Sequence, residues 1–94
     1  LYYLRVMFAA SVAPEANIDV YYRSGSSDLS TTNWKQMTPT KSIVKTTDAT
    51  YFTDVTCELD NIPAFTTAAV KLVFRSSNTS AIPRVKDLRV IACP

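Results

Sequence analysis

The constraint that most narrows the fold of this chain is a two-residue alternation of apolar and polar side chains. In Asn17–Arg23, Ile18, Val20 and Tyr22 stand opposite Asp19, Tyr21 and Arg23. Successive side chains of an extended strand point to opposite faces, so such a segment offers one face to a core and the other to water. The pattern recurs along the chain. In Tyr2–Ala10, Leu4, Val6 and Phe8 share a face and Arg5 takes the other. In Tyr51–Leu59, Tyr51, Val55, Cys57 and Leu59 oppose Phe52, Asp54 and Glu58. Ala69–Arg75 sets Val70, Leu72 and Phe74 against Lys71 and Arg75, and Val85–Cys93 sets Leu88, Val90 and Ala92 against Arg89. A short strand is expected around Trp34–Met37, whereas Thr40–Ala49 is ambiguous and reads as a short edge strand and a loop. No stretch carries a helical period; "FTTAAVKL" comes nearest, but its Thr pair and Val-rich continuation favour strand.

The punctuation agrees. Gly25 is the single glycine, so turns rely on Pro, Asn, Asp and Ser, which favours longer connections over two-residue hairpins. Pro14, Pro39, Pro63 and Pro83 fall between the apolar runs and Pro94 follows the last. Six or seven short strands with polar connections predict an all-β fold, an antiparallel β-sandwich of jelly-roll-like type. The 94 residues predict one domain spanning 1–94. The opening "LYYLRVMFAA" lacks an initiator Met and the charged-then-apolar order of a signal peptide. It reads as the first strand of a domain cut from a longer chain.

Composition excludes several function classes. A net charge of +2, dispersed along the chain, does not make the clustered basic face that nucleic acid requires. No apolar run approaches the roughly 20 residues of a membrane-crossing helix, so neither nucleic acid nor membrane is an expected partner. The chain contains no histidine, which removes His-activated nucleophiles and the commonest transition-metal ligand. Asp54 and Glu58 share a strand face about 13 Å apart, wider than the roughly 5–5.5 or 6.5–9.5 Å of glycosidase carboxylate pairs. Asp60, in a turn-like "DNIP", adds no calcium-loop spacing. One glycine cannot build a phosphate loop. No enzymatic activity, cofactor or metal is expected.

Cys57 and Cys93 show no CxxC pairing. A disulfide requires their strands to be neighbours; two buried, reduced thiols are the favoured reading. "NTS" at Asn78 fits a glycosylation acceptor and marks a surface turn.

The polar faces hold the remaining candidates. Adjacent Tyr2-Tyr3 and Tyr21-Tyr22 must each place one ring inward and one outward. With Trp34 they form either a partner-contact surface or a stacking platform for sugars. Lys71 and Arg75 share a face, as do Arg5 and Arg23 on strands expected to adjoin. Asp19, Asp54 and Glu58 lie on matching faces, where cross-strand ion pairs are the plain structural explanation. The candidate interface residues are Tyr3, Tyr21, Arg23, Trp34 and Arg75.

The pattern as a whole resembles a domain of tailed-bacteriophage structural proteins. The resemblance rests on "LRVMFAASVAPEANIDVYYR", a Trp with a Met soon after, a Phe, and "VKLVFRSSNTSAIPRVKDLRVIA". It covers Leu4 to Ala92 and is closest to domains from contractile-tailed phages, including those infecting cyanobacteria. Its most specific part is the closing run ending in "PRVKDLRVIA". The departure lies between Thr38 and Thr53, where the family's loop runs longer and more acidic. The resemblance implies a non-enzymatic assembly module of the virion, assembled in the bacterial cytoplasm and docked in many copies to other tail or baseplate proteins. It brings no catalytic residues. Two alternatives stand beside it: a carbohydrate- or receptor-binding sandwich on a tail fibre or tailspike, and a fibronectin-III-like adhesive module.

Overall fold

In the computed structural model, which describes residues 1–94, six strands form two three-stranded antiparallel sheets packed as a small β-sandwich. The strands are β1 (Tyr2–Ser11), β2 (Ala16–Gly25), β3 (Lys35–Met37), β4 (Thr53–Ile62), β5 (Thr67–Ser76) and β6 (Arg84–Cys93). One sheet has the order β4-β1-β6 and the other β3-β2-β5. The first two strands thus lie in opposite sheets, whereas an immunoglobulin-type order sets its first two in one. The ten-residue strands make the molecule long, 41 × 23 × 18 Å.

Alternation builds the core. Leu4, Val6, Phe8 and Ala10 of β1 face Ala16, Ile18, Val20 and Tyr22 of β2, all between 0% and 6% exposed. Val12, Met37, Val55, Cys57 and Ile62 complete the same cluster. Between β1 and β2 the chain crosses the sandwich in a turn at Pro14-Glu15, where the Ala16 amide donates to the Ala13 carbonyl at 3.0 Å. Pro14 suits this place because a turn asks nothing of the amide it lacks. Gly25 ends β2 where Leu29 packs so closely that a Cβ would lie 3.0 Å from its Cδ2.

The sandwich is closed on one flank and open on the other. On the closed side β3 and β4 approach each other, with Met37 and Val55 each 4% exposed and a bridge joining Pro39 to Cys57. On the other side β5 and β6 are both edge strands and do not pair.

Several expectations change. The segment Thr40–Ala49 forms no strand; it is loop tethered by single bridges, Pro39 to Cys57 at its start and Val12 to Lys45 farther on. Its exit is a turn in which the Asp48 carboxylate accepts from the Thr50 amide and hydroxyl. That turn leaves Tyr51 half exposed ahead of β4 rather than in the core row. Asp60 does not end a strand: β4 runs on to Ile62 through a bulge, with Asn61 at φ 61°. A second bulge lies in β6, where Phe8 of β1 is opposed by Asp87 and Leu88, with Asp87 at φ 57°. Asn and Asp enter this left-handed region more readily than other non-glycine residues, so bulges fit a chain nearly without glycine. Arg5 and Arg23 do not adjoin, because β1 and β2 are in different sheets.

Cys57 and Cys93 are both free thiols, on strands that flank β1 and do not touch. Cys57 is buried as expected, while Cys93 is exposed, since the end of β6 has nothing packed over it. Burial pushes the Cys57 thiol up to about 11. In the folded protein a disulfide-exchange reagent at neutral pH is expected to modify one thiol rapidly, that of Cys93, and to reach Cys57 only in denaturant. Two rapid equivalents in the native state would contradict this packing.

Core depth sets the second expectation. Phe8→Ala removes a side chain 2% exposed and is expected to cost about 3–5 kcal/mol in urea unfolding. Leu88→Ala, at a site 51% exposed, should cost less than about 1 kcal/mol.

Candidate interaction face

The outer face of the β3-β2-β5 sheet collects four of the five candidate residues. Tyr21 and Arg23 point outward from β2 because Val20 and Tyr22 point inward. Tyr21 pairs with Lys71 of β5 on one side and Gln36 of β3 on the other. Trp34 lies one step beyond the Tyr22–Lys35 pair, which sets it beside Arg23. The sheet register therefore converges two aromatic rings and two cations on one patch.

Their contacts are close. The Arg23 guanidinium lies 4.3 Å from the Trp34 ring centroid. The Lys71 ammonium lies 4.5 Å from the Trp34 centroid and 5.3 Å from that of Tyr21. A cation over an aromatic face is attracted by the ring quadrupole, by about 0.5–1 kcal/mol at exposed sites and more when desolvated. The Arg23 side chain is only partly satisfied: one terminal nitrogen donates to the Thr32 carbonyl at 3.4 Å, and the buried Nε has no partner within the chain. Trp34 is half-buried, neither sunk in the core nor fully free.

Arg75 occupies another part of the same sheet and is already engaged. Its Nε and a terminal nitrogen donate to the two carboxylate oxygens of Asp19 at 2.6 and 3.0 Å, a bidentate pair across β5 and β2. The Arg75 hydrogen bonds hold the Asp19 carboxyl below its usual range, against the opposing effect of partial burial.

Tyr3 is separate from the other four. It sits on the outer face of the β4-β1-β6 sheet, where its hydroxyl donates to Glu58 at 2.5 Å and accepts from Arg5 Nε at 2.7 Å. Arg5 also reaches Glu58 at 3.5 Å. The phenol and then Arg5 lower the Glu58 carboxyl, and the same hydrogen bond raises the Tyr3 phenol. Cross-strand ion pairing thus accounts for Arg5 and Arg75, the plain explanation for two of the cations. The turn reading of Asn78 also fits: its side-chain oxygen accepts from the Ser80 amide and hydroxyl on an exposed turn.

Lys71 belongs to the aromatic patch although it was not among the candidates. The signal was its place two residues from Ala69 and four from Arg75, on the outward parity of a strand; only the pairing partner Tyr21 was invisible. No group of three or more His, Cys, Asp or Glu side chains comes together in the fold. A surface depression of about 470 Å³ lies between the β1–β2 turn and the β5–β6 connection, lined among others by Pro14, Thr46, Asn78, Ile82 and Arg84. It is remote from the Trp34 patch and includes none of its residues.

The Asp19–Arg75 pair has a defined pH dependence. The folded-state pKa of Asp19 lies below its ordinary 3.8, so the pair's contribution is present above the unfolded value and lost as pH falls through the folded one. Asp19→Asn is expected to lower the thermal midpoint at neutral pH, and the gap to wild type should narrow as pH drops from about 4 towards about 2. A gap independent of pH would show that the carboxylate charge contributes nothing.

Comparison with family models, with curated proteins and with solved structures found no match for this chain.

Proposed function

We propose that the domain is a non-enzymatic assembly module of a phage virion, docked to neighbouring subunits in the tail or baseplate region through the outer face of the β3-β2-β5 sheet. The observation that carries the docking role is the patch of Trp34, Tyr21, Arg23 and Lys71 on a rigid sheet. Trp, Tyr and Arg are the residue types that most often dominate binding energy at protein interfaces. They do so where flat rings and guanidinium groups are desolvated together by a partner. The virion setting rests on the resemblance of Leu4–Ala92 to tail and baseplate domains. The glycan-binding alternative needs a ring face free for sugar stacking, and Trp34 is already engaged by two cations.

The test is a cryo-EM map of the particle containing this chain, with incorporation of variants measured alongside. Tyr21, Arg23 and Trp34 are expected to be packed against other subunits. Tyr21→Ala with Arg23→Glu should reduce incorporation by at least about tenfold while far-UV circular dichroism and melting stay near wild type. Should these residues project freely at a fibre tip, and should the variants bind glycans less well while assembling normally, the assembly reading fails in favour of receptor binding.

A further inference from the structure

The open flank between β5 and β6 carries more apolar surface than its strands need. Phe74 of β5 and Val90 of β6 lie on the inward sides of their sheets, since Phe74 pairs with Ile18 and Val90 with Val6. Yet they are 46% and 47% exposed, and Leu88, next inward on β6, is 51% exposed. Their pairing partners Ile18 and Val6 are 3% and 0% exposed. The difference arises because β3 and β4 close the opposite flank and no strand closes this one. The outer backbone edge of β6 is also unpaired, as only β1 bonds to it.

The outward side of β6 shows what could cover it. Pairing with β1 sets Arg84, Lys86 and Arg89 opposite Ser11, Ala9 and Met7, alternate residues of one strand. The bulge at Asp87 absorbs one residue, so three cations that would otherwise fall on both faces form one row, about 7 Å between neighbours. Arg84 and Arg89 have no ion pair, and Lys86 meets only the Phe52 ring, 4.4 Å from its centroid. A second copy is a poor occupant. The antiparallel register that sets Val85 against Val90 also sets Lys86 against Arg89, centring on Arg89 sets it against itself, and centring on Val90 avoids like-charge pairs by shortening the overlap to Asp87–Cys93. Like charges directly opposite destabilise strand pairs.

We propose that this flank is a groove for one extended segment of another protein, alternating apolar with acidic residues, which adds to the β6 edge as a fourth strand. Its apolar side chains fill the cleft against Phe74, Leu88 and Val90. Its carboxylates, at every second position, face Arg84, Lys86 and Arg89. Main-chain hydrogen bonds along β6 supply the pairing, as in other strand-addition complexes. This goes beyond docking through the Trp34 face: the groove is a separate surface, and it selects its partner by pattern.

The test uses a fluorescein-labelled peptide of ten residues, the length of β6, alternating Val and Glu. Controls are a scrambled peptide of the same composition and an alternating Val–Lys peptide. Anisotropy titration of the intact chain is expected to show the alternating acidic peptide binding at least about tenfold tighter than either control. Arg84→Glu with Arg89→Glu should abolish that preference, and hydrogen exchange should show new protection of β6 amides on binding. Tyr21→Ala should leave peptide binding unchanged, which separates this groove from the Trp34 face. Equal binding of the scrambled peptide would overturn the proposal, leaving charge attraction without strand addition. So would sedimentation showing a dimer whose β6 amides are protected without peptide, since a second copy would then be the occupant.

Discussion

Everything in this domain hangs on the contact between its two central strands. Leu4, Val6 and Phe8 of β1 and Ile18, Val20 and Tyr22 of β2 bury each other across the sandwich almost completely. Each is central in its sheet, so each holds two further strands by hydrogen bonds. The outer strands are positioned by those hydrogen bonds together with the few side chains, Met37, Val55, Cys57 and Ile62, that they add to the same core. A side chain the size of Leu or Phe gains about 1.5–3 kcal/mol on full burial. Six such side chains on two adjacent segments, linked by the short turn at Pro14, therefore form a nucleus that is local in sequence although it spans both layers.

That nucleus was also the most legible part of the sequence. Five of the six strands overlap the segments where alternation was read, because side-chain direction in a strand follows directly from position, although β4 starts after Tyr51 and runs on to Ile62. What alternation cannot convey is which strands are neighbours, and the adjacency expected for Arg5 and Arg23 failed for that reason. Nor does it reveal where its own period slips. The bulges at Asn61 and Asp87 each insert a residue, and a strict count through them assigns later residues to the wrong side. Alternation also marks an inward side without stating how well it is covered. Phe74, Leu88 and Val90 read as core residues, yet their flank has no closing strand.

The candidate patch was partly visible for the same reason. Tyr21 and Arg23 had to face outward once Tyr22 was assigned inward, and Arg75 followed from Phe74. Their meeting with Trp34 depends on the β2–β3 register, which only the tertiary structure supplies. Lys71 was visible as an outward residue without a role. Tyr3 was separated from the group by the crossing of the chain between sheets at Pro14. Electrostatics then divides the cations: Arg5 and Arg75 are consumed by Glu58 and Asp19, while Arg23 and Lys71 lean on aromatic rings.

The row of Arg84, Lys86 and Arg89 has a further consequence for the chain on its own. An apolar edge strand left uncovered invites copies to stack edge to edge, and proteins commonly defend such edges with charged side chains. Here repulsion works beside the bulge at Asp87, because no helix, loop or proline shields the middle of β6. Repulsion between exposed charges has a range set by the Debye length, about 8 Å at physiological ionic strength and about 3 Å in molar salt. The colloidal stability of the free domain is thus tied to ionic strength: concentrated salt removes the barrier between β6 edges while strengthening the attraction of their apolar faces.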